Sequence, residues 1–275
     1  MIRLNSDKHI EKLRVLFIGN SFSTDSAEYL FSICQSVGID IVVGVSFDSG
    51  MGLKQTWNKL KSNQSITAYQ KWSSKNGREE KRGYLLKNII PDEKWDIVIF
   101  QQVSSSSNKP ESFHPYLLNL KEYVENNVNN RFMKFGLNMT WAFSIKSPKI
   151  ANMGYENQIA LFDSIQDTYR QVMTKMNFDI LIPTGTAIQN ARTNSYLKGV
   201  GDDLTRDGSH LDRGMGRYIA ALTVFEALVS DFYKKATLKK VAFYPALEEV
   251  DTNIISLSKN AAKNAVLNPF KITDI

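Results

Sequence analysis

Residues 14–23 read Arg14-Val-Leu-Phe-Ile-Gly-Asn-Ser-Phe-Ser23. The unbroken apolar run at residues 15–18 is typical of a parallel strand that is covered on both faces. Gly19 permits a sharp turn, and the periodic apolar residues over 27–37 predict a helix after it. Ser21 is therefore expected at the carboxyl end of the first strand, beside a helix N-terminus, where open α/β sheets place their ligands.

Three roles fit Ser21 on this stretch alone. Its hydroxyl could cap the helix that follows. The hydroxyl-rich turn could instead cradle a phosphate group, as in flavodoxin-like proteins. The third role is that of a nucleophile, because free backbone N–H groups at a helix N-terminus favour developing negative charge.

The composition is that of an ordinary globular protein. The 275 residues include 43% apolar and 23% charged residues, enough for a core that needs no covalent staples. The single cysteine, Cys34, excludes an intrachain disulfide and a multi-cysteine zinc site, and its place on an apolar helix face predicts core packing. The sequence offers no cluster of His, Asp and Glu for a metal, so no metal and no cofactor are expected.

The net charge of +6 at first suggests nucleic acid as a partner. The positive charges are scattered among acids, however, and the densest basic segments, 71–82 and 234–240, form no nucleic-acid motif. We therefore expect a solvated surface and no nucleic-acid partner, and the oligomeric state is not readable from the sequence. No segment is long enough for a transmembrane helix. Residues 1–8 have no apolar signal core, so the protein is expected to be cytoplasmic, or exported with its leader missing from this chain.

Strands and helices alternate along the chain. Strands are predicted at residues 15–18, 39–46, 95–100, 131–139 and 178–182, and helices at 27–37, 53–60, 84–90, 115–128, 155–176, 183–192, 214–233 and 247–266. This alternation predicts a three-layer α/β/α, flavodoxin-like fold with a five-stranded parallel sheet. No repeat or linker divides the chain, so residues 1–275 are predicted to form one domain.

Residues 61–82 interrupt the alternation. They are polar but contain Tyr69 and Trp72. We interpret them as an insertion near the site, forming a hairpin or an irregular loop over one end of the sheet. Such an insertion either shapes a substrate site or is a surface loop that its aromatic residues anchor.

A second polar segment, Leu204-Thr-Arg-Asp-Gly-Ser-His-Leu211, offers a base for Ser21. Asp207 and His210 are three residues apart in a glycine-containing loop, so one turn can present both side chains. The carboxylate can hold one imidazole nitrogen while the other faces a serine hydroxyl, which is a weak nucleophile without a base. A phosphate loop would give Asp207 and His210 no role, so the nucleophile is favoured.

The order of these residues resembles that of the SGNH (GDSL-like) hydrolases. Gly19-Asn-Ser-Phe-Ser23 resembles the first block of that family, with Asn20 where aspartate is usual, and Asp207-Gly-Ser-His210 resembles its last block. Together with Trp95-Asp-Ile-Val-Ile-Phe-Gln-Gln102, these segments look like a bacterial branch whose substrates are not assigned. The resemblance implies the SGNH hydrolase fold and a triad of Ser21, His210 and Asp207.

The resemblance also implies an oxyanion hole. The N–H of Ser21 would be one donor, and a glycine N–H after the second strand would be another, with Gly50 as the nearest match and Gly52 second. The third donor is normally an asparagine after the third strand. A glutamine amide can donate the same kind of hydrogen bond, so Gln102 is the candidate here and Gln101 its rival.

Several residues near these blocks have two possible roles. Asp202 or Asp203 could orient the base in place of Asp207. Arg206 could orient the substrate or form a salt bridge. Trp141 would suit stacking on a sugar, although core packing explains a tryptophan equally well.

These observations predict a serine esterase that removes small acyl groups. The preference for acetyl groups on carbohydrates is implied by the family resemblance, mainly by the glutamine pair. An acyltransferase would use the same residues. The alternative from another class is a non-catalytic binding module that keeps the fold.

Overall fold

The computed structural model describes residues 12–233, 236–245 and 252–275. The expectation for residues 1–8, part of the basic segment 234–240 and the first residues of the helix predicted at 247–266 lie outside the described residues. Within the described ranges, none of the helices has the length and apolarity that a membrane crossing requires.

One sheet runs through the molecule. Its strands are β1 (Leu13–Gly19), β2 (Ile41–Phe47), β3 (Ala68–Ser73), β4 (Gly77–Arg82), β5 (Ile97–Phe100), β6 (Lys134–Asn138) and β7 (Ile180–Ile182). Their order in space is β4-β3-β2-β1-β5-β6-β7. The five strands predicted from the sequence are β2, β1, β5, β6 and β7, and they pair in parallel. The sheet nevertheless has seven strands and not five.

The two additional strands come from the insertion at 61–82. β3 pairs antiparallel with β2, and β4 pairs antiparallel with β3, so the insertion is a hairpin that extends the sheet sideways. It does not lie over the end of the sheet as an irregular loop. The outer strand, Gly-Arg-Glu-Glu-Lys-Arg, is almost entirely charged, which discourages further strand pairing at this edge. The same composition hides the strand from an argument based on apolar alternation.

Helices cover both faces of the sheet. They are α1 (Ser21–Ala27), α2 (Leu30–Ser36), α3 (Leu53–Lys61), α4 (Leu86–Ile89), α5 (Tyr116–Asn127), α6 (Lys149–Asn152), α7 (Gln158–Met176), α8 (Thr184–Ala191), α9 (Ser195–Lys198), α10 (Met215–Phe232) and α11 (Thr252–Leu267). α10 contacts α1, α2, α8 and α11, whereas α3 contacts α5. The result is the predicted three-layer α/β/α architecture.

The helix predicted at 27–37 is observed as α2, and a separate helix, α1, precedes it. α1 begins at Ser21 and includes the polar residues 23–26, which precede the apolar pattern from which the helix was predicted. Polar side chains usually favour turns because they compete for backbone hydrogen bonds, but here they have other partners. Ser23 donates to Gln101 Oε1 at 2.7 Å, and Asp25 pairs with arginine side chains. Tertiary contacts therefore outweigh the local preference.

The core lies between the sheet and the two helix layers. In β1, Val15, Leu16 and Phe17 are fully buried, as expected for the central strand of a doubly covered sheet. Cys34 is also buried in this core, which confirms its packing role. Because β1 is central, the turn after it lies at the middle of the carboxyl edge of the sheet.

Candidate active site

Ser21, His210 and Asp207 form a hydrogen-bonded chain. Ser21 Oγ lies 2.8 Å from His210 Nε2, although 189 positions separate the two residues. His210 Nδ1 lies 2.6 Å from Asp207 Oδ2. With the proton on Nδ1, the imidazole donates to the carboxylate, and Nε2 can accept the proton of the serine hydroxyl.

The turn after β1 presents Ser21 without using its hydroxyl as a helix cap. Asn20 is the capping residue, because its Oδ1 accepts from the N–H of Phe22 at 3.0 Å. The amide of Asn20 also donates to the carbonyl oxygen of Met51 at 3.0 Å. A Cβ at Gly19 would lie only 2.3 Å from Ser23 Oγ, so the close approach of α1 to the strand requires glycine. The N–H of Ser21 donates to no acceptor within the described chain.

The loop that carries His210 is closed on itself. The N–H of Arg206 donates to the carbonyl of His210 at 2.9 Å. Gly208, with a φ of +77°, occupies the left-handed region that favours glycine, and its N–H donates to Thr205 Oγ1 at 3.1 Å. Ser144 donates from its N–H to the Gly208 carbonyl at 2.9 Å. The loop after β6 thereby supports the loop that holds His210.

The Asp207 carboxylate is held as an anion by its own loop. Its Oδ1 accepts from the N–H groups of Ser209 and His210, at 3.0 and 2.8 Å. Burial acts to raise the pKa of Asp207, but these bonds and the bond from the imidazole outweigh burial and lower the pKa to about 2. Asp207 is thus charged at neutral pH and fixes the orientation of the ring.

The two alternative orienting acids have other partners. Asp203 forms a buried ion pair with Arg192, with 3.3 Å between Oδ2 and Nε. Asp202 pairs with Lys146 at 3.4 Å on the surface. Of these three acids, Asp207 is the one with a described hydrogen bond to the His210 ring.

Trp141, a candidate for sugar stacking, is fully buried. Its ring stacks on Phe22, and its Nε1 donates to the carbonyl of Ser209 at 2.8 Å. The edge of Phe22 in turn faces the His210 ring, with centroids 5.8 Å apart. Of its two possible roles, Trp141 therefore has the packing role, and it links α1 to the loop that carries His210.

Arg206, the other candidate substrate contact, forms a salt bridge. Its Nη1 donates to both carboxylate oxygens of Asp25, at 3.1 and 3.2 Å, and to the carbonyl of Leu211. The guanidinium is thus engaged within the protein. Sequence reasoning did not single out Asp25, although an acidic residue among the hydroxyl residues of 23–26 was a visible signal.

The loop after β2 contains the two glycines proposed as oxyanion donors. Gly50 is exposed with a φ of +67°, whereas Gly52 is buried at the start of α3. Neither N–H donates to an acceptor among the described residues. The bond from Asn20 to Met51 ties this loop to the turn that holds Ser21.

The glutamine pair has different partners from those the sequence predicted. Gln102 Oε1 accepts from the N–H groups of Leu53 and Val103, both at 3.0 Å. These two donors fix the orientation of the amide, and its Nε2 donates to the carbonyl and hydroxyl of Ser112, at 3.1 and 3.0 Å. Gln101 accepts from Ser23 and donates to the carbonyl of Gln102. Gln102 Nε2 thus has two acceptors on Ser112, whereas Gln101 Nε2 has one acceptor among the described residues, the carbonyl of Gln102.

The triad that the sequence resemblance implies, Ser21, His210 and Asp207, is open to solvent. The side chains of His210 and Asp207 are 31% and 48% exposed. Two cavities, of about 530 and 580 Å³, lie elsewhere, and no triad residue lines either of them. Within the described part of the chain, no group of three or more His, Cys, Asp and Glu side chains is placed to hold a metal ion.

Comparison with known proteins gives a family and a fold. A family model described as "Domain of unknown function (DUF4886)" matches residues 14–265. The crystal structure of a DUF4886 family protein from Bacteroides uniformis is 32% identical, with a TM-score of 0.82, over 96% of this chain and 98% of that chain. Among curated protein sequences, none matches this chain.

A more distant solved structure confirms the fold class. A protein from Slackia heliotrinireducens that is named as a candidate SGNH hydrolase has a TM-score of 0.53 and 18% identity. The match covers 79% of this chain and 99% of that chain. The predicted resemblance to the SGNH fold is therefore confirmed at the level of architecture.

Proposed function

The chain belongs to the DUF4886 family, and we propose that it is a serine esterase with Ser21 as its nucleophile. The observation that carries this proposal is the hydrogen-bonded chain from Ser21 through His210 to Asp207. A capping role for Ser21 does not account for that chain, since Asn20 caps α1. Serine hydrolases on unrelated folds use the same constellation.

The proposed reaction follows from the positions of the three side chains. His210 Nε2 takes the hydroxyl proton as Ser21 Oγ attacks the carbonyl carbon of the ester. Asp207 stabilises the imidazolium that forms. The tetrahedral intermediate then expels the alcohol, which receives the proton from His210, and the acyl group remains on Ser21. His210 next deprotonates a water molecule, whose attack releases the acid and restores the serine.

The oxyanion would be held by backbone N–H groups. The N–H of Ser21 is one donor in this proposal, and the N–H of Gly50 is the second, with Gly52 as its rival; none of these groups has another acceptor in the described chain. Loss of one such donor typically costs about 3–4 kcal/mol of transition-state stabilisation. Gln102 acts indirectly, because its Oε1 holds the N–H of Leu53 at the start of α3.

We propose that the substrates carry short acyl groups, acetyl in particular, on a polar carrier such as a carbohydrate. The exposure of His210 and Asp207 supports this, since an open site admits a bulky alcohol portion. A long acyl chain would instead need a deep apolar pocket to gain its roughly 0.8 kcal/mol per buried methylene. The same openness would admit an acceptor alcohol, so acyl transfer is the second candidate.

A fluorophosphonate probe tests the nucleophile directly. We expect covalent modification at Ser21 in the wild type and none in Ser21→Ala. Ser23→Ala is the matched control, because Ser23 lies two residues away but is buried against Gln101. An unmodified wild-type protein would favour the non-catalytic binding module.

A substrate panel tests the acyl group. p-Nitrophenyl esters from acetate to octanoate should be cleaved with falling kcat/KM as the chain lengthens, and acetylated sugars should release acetate. Preference for octanoate would contradict the short-acyl proposal. Formation of a new ester when an alcohol is added would identify acyl transfer.

A further inference from the structure

We propose that Asp25 is a positioning residue that sets the place of His210 relative to Ser21. This inference rests on the proposed esterase function, but its structural half can be measured without activity. Asp25 touches neither Ser21 nor the imidazole in the described contacts. It acts through the backbone that carries the base.

The carboxylate of Asp25 is completely buried and is surrounded by donors. Its Oδ2 accepts from the N–H of Leu211 at 3.0 Å. Arg206 donates to both of its oxygens. Arg217 Nε donates to Oδ1 at 2.8 Å, and Arg217 Nη2 lies 2.7 Å from the same oxygen. A buried carboxylate with two guanidinium partners is a strongly directional anchor.

The position of Asp25 along the chain explains how its carboxylate can connect Ser21 and His210. Asp25 follows Ser21 by four residues in α1, so the two lie about one helical turn apart on a rigid element. Leu211 directly follows His210. The bond from the Leu211 N–H to Asp25 therefore connects the nucleophile helix to the residue next to the base.

The other end of the base loop reaches the same carboxylate. Arg206 closes the loop with its N–H on the His210 carbonyl, and its side chain binds Asp25. Both ends of residues 206–211 thus converge on one buried group. The ring of His210 can be held 2.8 Å from Ser21 Oγ because its backbone cannot move independently of α1.

The test replaces the carboxylate while keeping its size. Asp25→Asn removes the charge and turns one acceptor oxygen into a donor that faces Arg206, Arg217 or the Leu211 N–H. We expect kcat on p-nitrophenyl acetate to fall on the order of 100-fold, as for a shift of about 1 Å in a catalytic group, with little change in KM. Hydrogen exchange of a peptide covering residues 204–212 should become faster.

Glu28→Gln is the matched control. Glu28 also pairs with Arg217, at 3.4 Å, and lies one turn further along the same helix segment, but it has no described contact with residues 206–211. We expect this variant to keep the kcat and the exchange rate of the wild type.

If Asp25→Asn fails to fold, Arg206→Gln replaces it as the test, because Asp25 then retains its bonds to Arg217 and Leu211. A kcat loss of about tenfold or more is expected for Arg206→Gln.

Two results would overturn the inference. One is a folded Asp25→Asn variant with wild-type kcat, and the other is unchanged exchange of residues 204–212. Failure of the proposed function has a different signature, since the wild type would then either cleave no p-nitrophenyl acetate or lose no activity on Ser21→Ala substitution. The exchange measurement still decides whether Asp25 holds the base loop in that case.

Discussion

Trp141 lies flat on Phe22, with ring centroids 4.0 Å apart and planes 3° apart. Phe22 directly follows the proposed nucleophile, and Trp141 donates its indole N–H to the carbonyl of Ser209, next to the proposed base. One buried aromatic pair therefore joins the two halves of the proposed triad. The rings are stacked, and favourable aromatic pairs add about 0.5–1.5 kcal/mol to the burial of the rings.

Trp141→Phe should weaken both stability and turnover. The change keeps an aromatic ring against Phe22 but leaves the Ser209 carbonyl without its donor. We expect a loss of about 1–3 kcal/mol in the free energy of unfolding, measured by urea titration, and a lower kcat. Trp57→Phe is the control, since Trp57 is only half-buried in α3 and should change stability by less than about 0.5 kcal/mol. Equal losses in the two variants would contradict this role of the indole N–H.

Asp207→Asn should lower kcat on the order of 10³–10⁴-fold, because an amide cannot fix the required imidazole tautomer. The stability effect should depend on pH. The folded-state pKa of Asp207 is lowered from 3.8 to about 2, so its contribution to stability is present above the unfolded-state value and is lost as the pH falls through about 2. Urea unfolding of both proteins between pH 7 and pH 2 should therefore give a difference that shrinks below about pH 4.

Asp202→Asn is the control for Asp207. Asp202 lies in the same loop but pairs with Lys146. We expect its kcat to remain that of the wild type. A similar kcat loss in both variants would mean that the loop as a whole, and not the Asp207–His210 contact, is sensitive to substitution.

Gln102→Leu and Gln102→Glu distinguish a supporting role from direct oxyanion binding. The leucine variant removes the acceptor for the N–H groups of Leu53 and Val103, at a cost of about 1–3 kcal/mol for each buried donor left unpaired. The glutamate variant keeps an acceptor oxygen there. We expect kcat/KM to decrease from wild type to Gln102→Glu to Gln102→Leu. Direct donation from the amide would make Gln102→Glu at least as inactive as Gln102→Leu, because a carboxylate repels the oxyanion.

Arg192→Met should be strongly destabilising. The side chains of Arg192 and Asp203 are only 2% and 6% exposed. The substitution therefore leaves the buried carboxylate of Asp203 without its cationic partner, at a cost of about 3–5 kcal/mol in the free energy of unfolding. Lys146→Met breaks the exposed pair with Asp202 and should cost less than about 1 kcal/mol. Urea denaturation of the two variants measures the difference, and comparable losses would contradict the burial argument.

The parallel part of the fold was predictable because its signal is local. Each central strand is a short apolar run, and the run at 15–18 is buried as its composition predicts. Charged residues hide the edge strand β4 from the same argument, because an edge strand needs only backbone pairing and has one side in water. The start of α1 was missed because its residues are polar and the sequence pattern did not predict a helix there. These residues form a helix because their side chains bond partners far away in sequence, as Ser23 does with Gln101.

The sequence by itself determined the order and the chemistry of the proposed site. A strand that ends just before Ser21 and an aspartate three residues before His210 are facts of local spacing, and both can be read from the sequence without a structure. Only the tertiary structure decided which polar groups are free. In the folded protein the Gln102 amide is hydrogen-bonded to Ser112, and Trp141 is buried. Arg206 is paired with Asp25, and Asn20 caps α1. The physical reason is that a side chain's spare hydrogen-bonding capacity depends on partners that are distant in sequence, and folding assigns those partners.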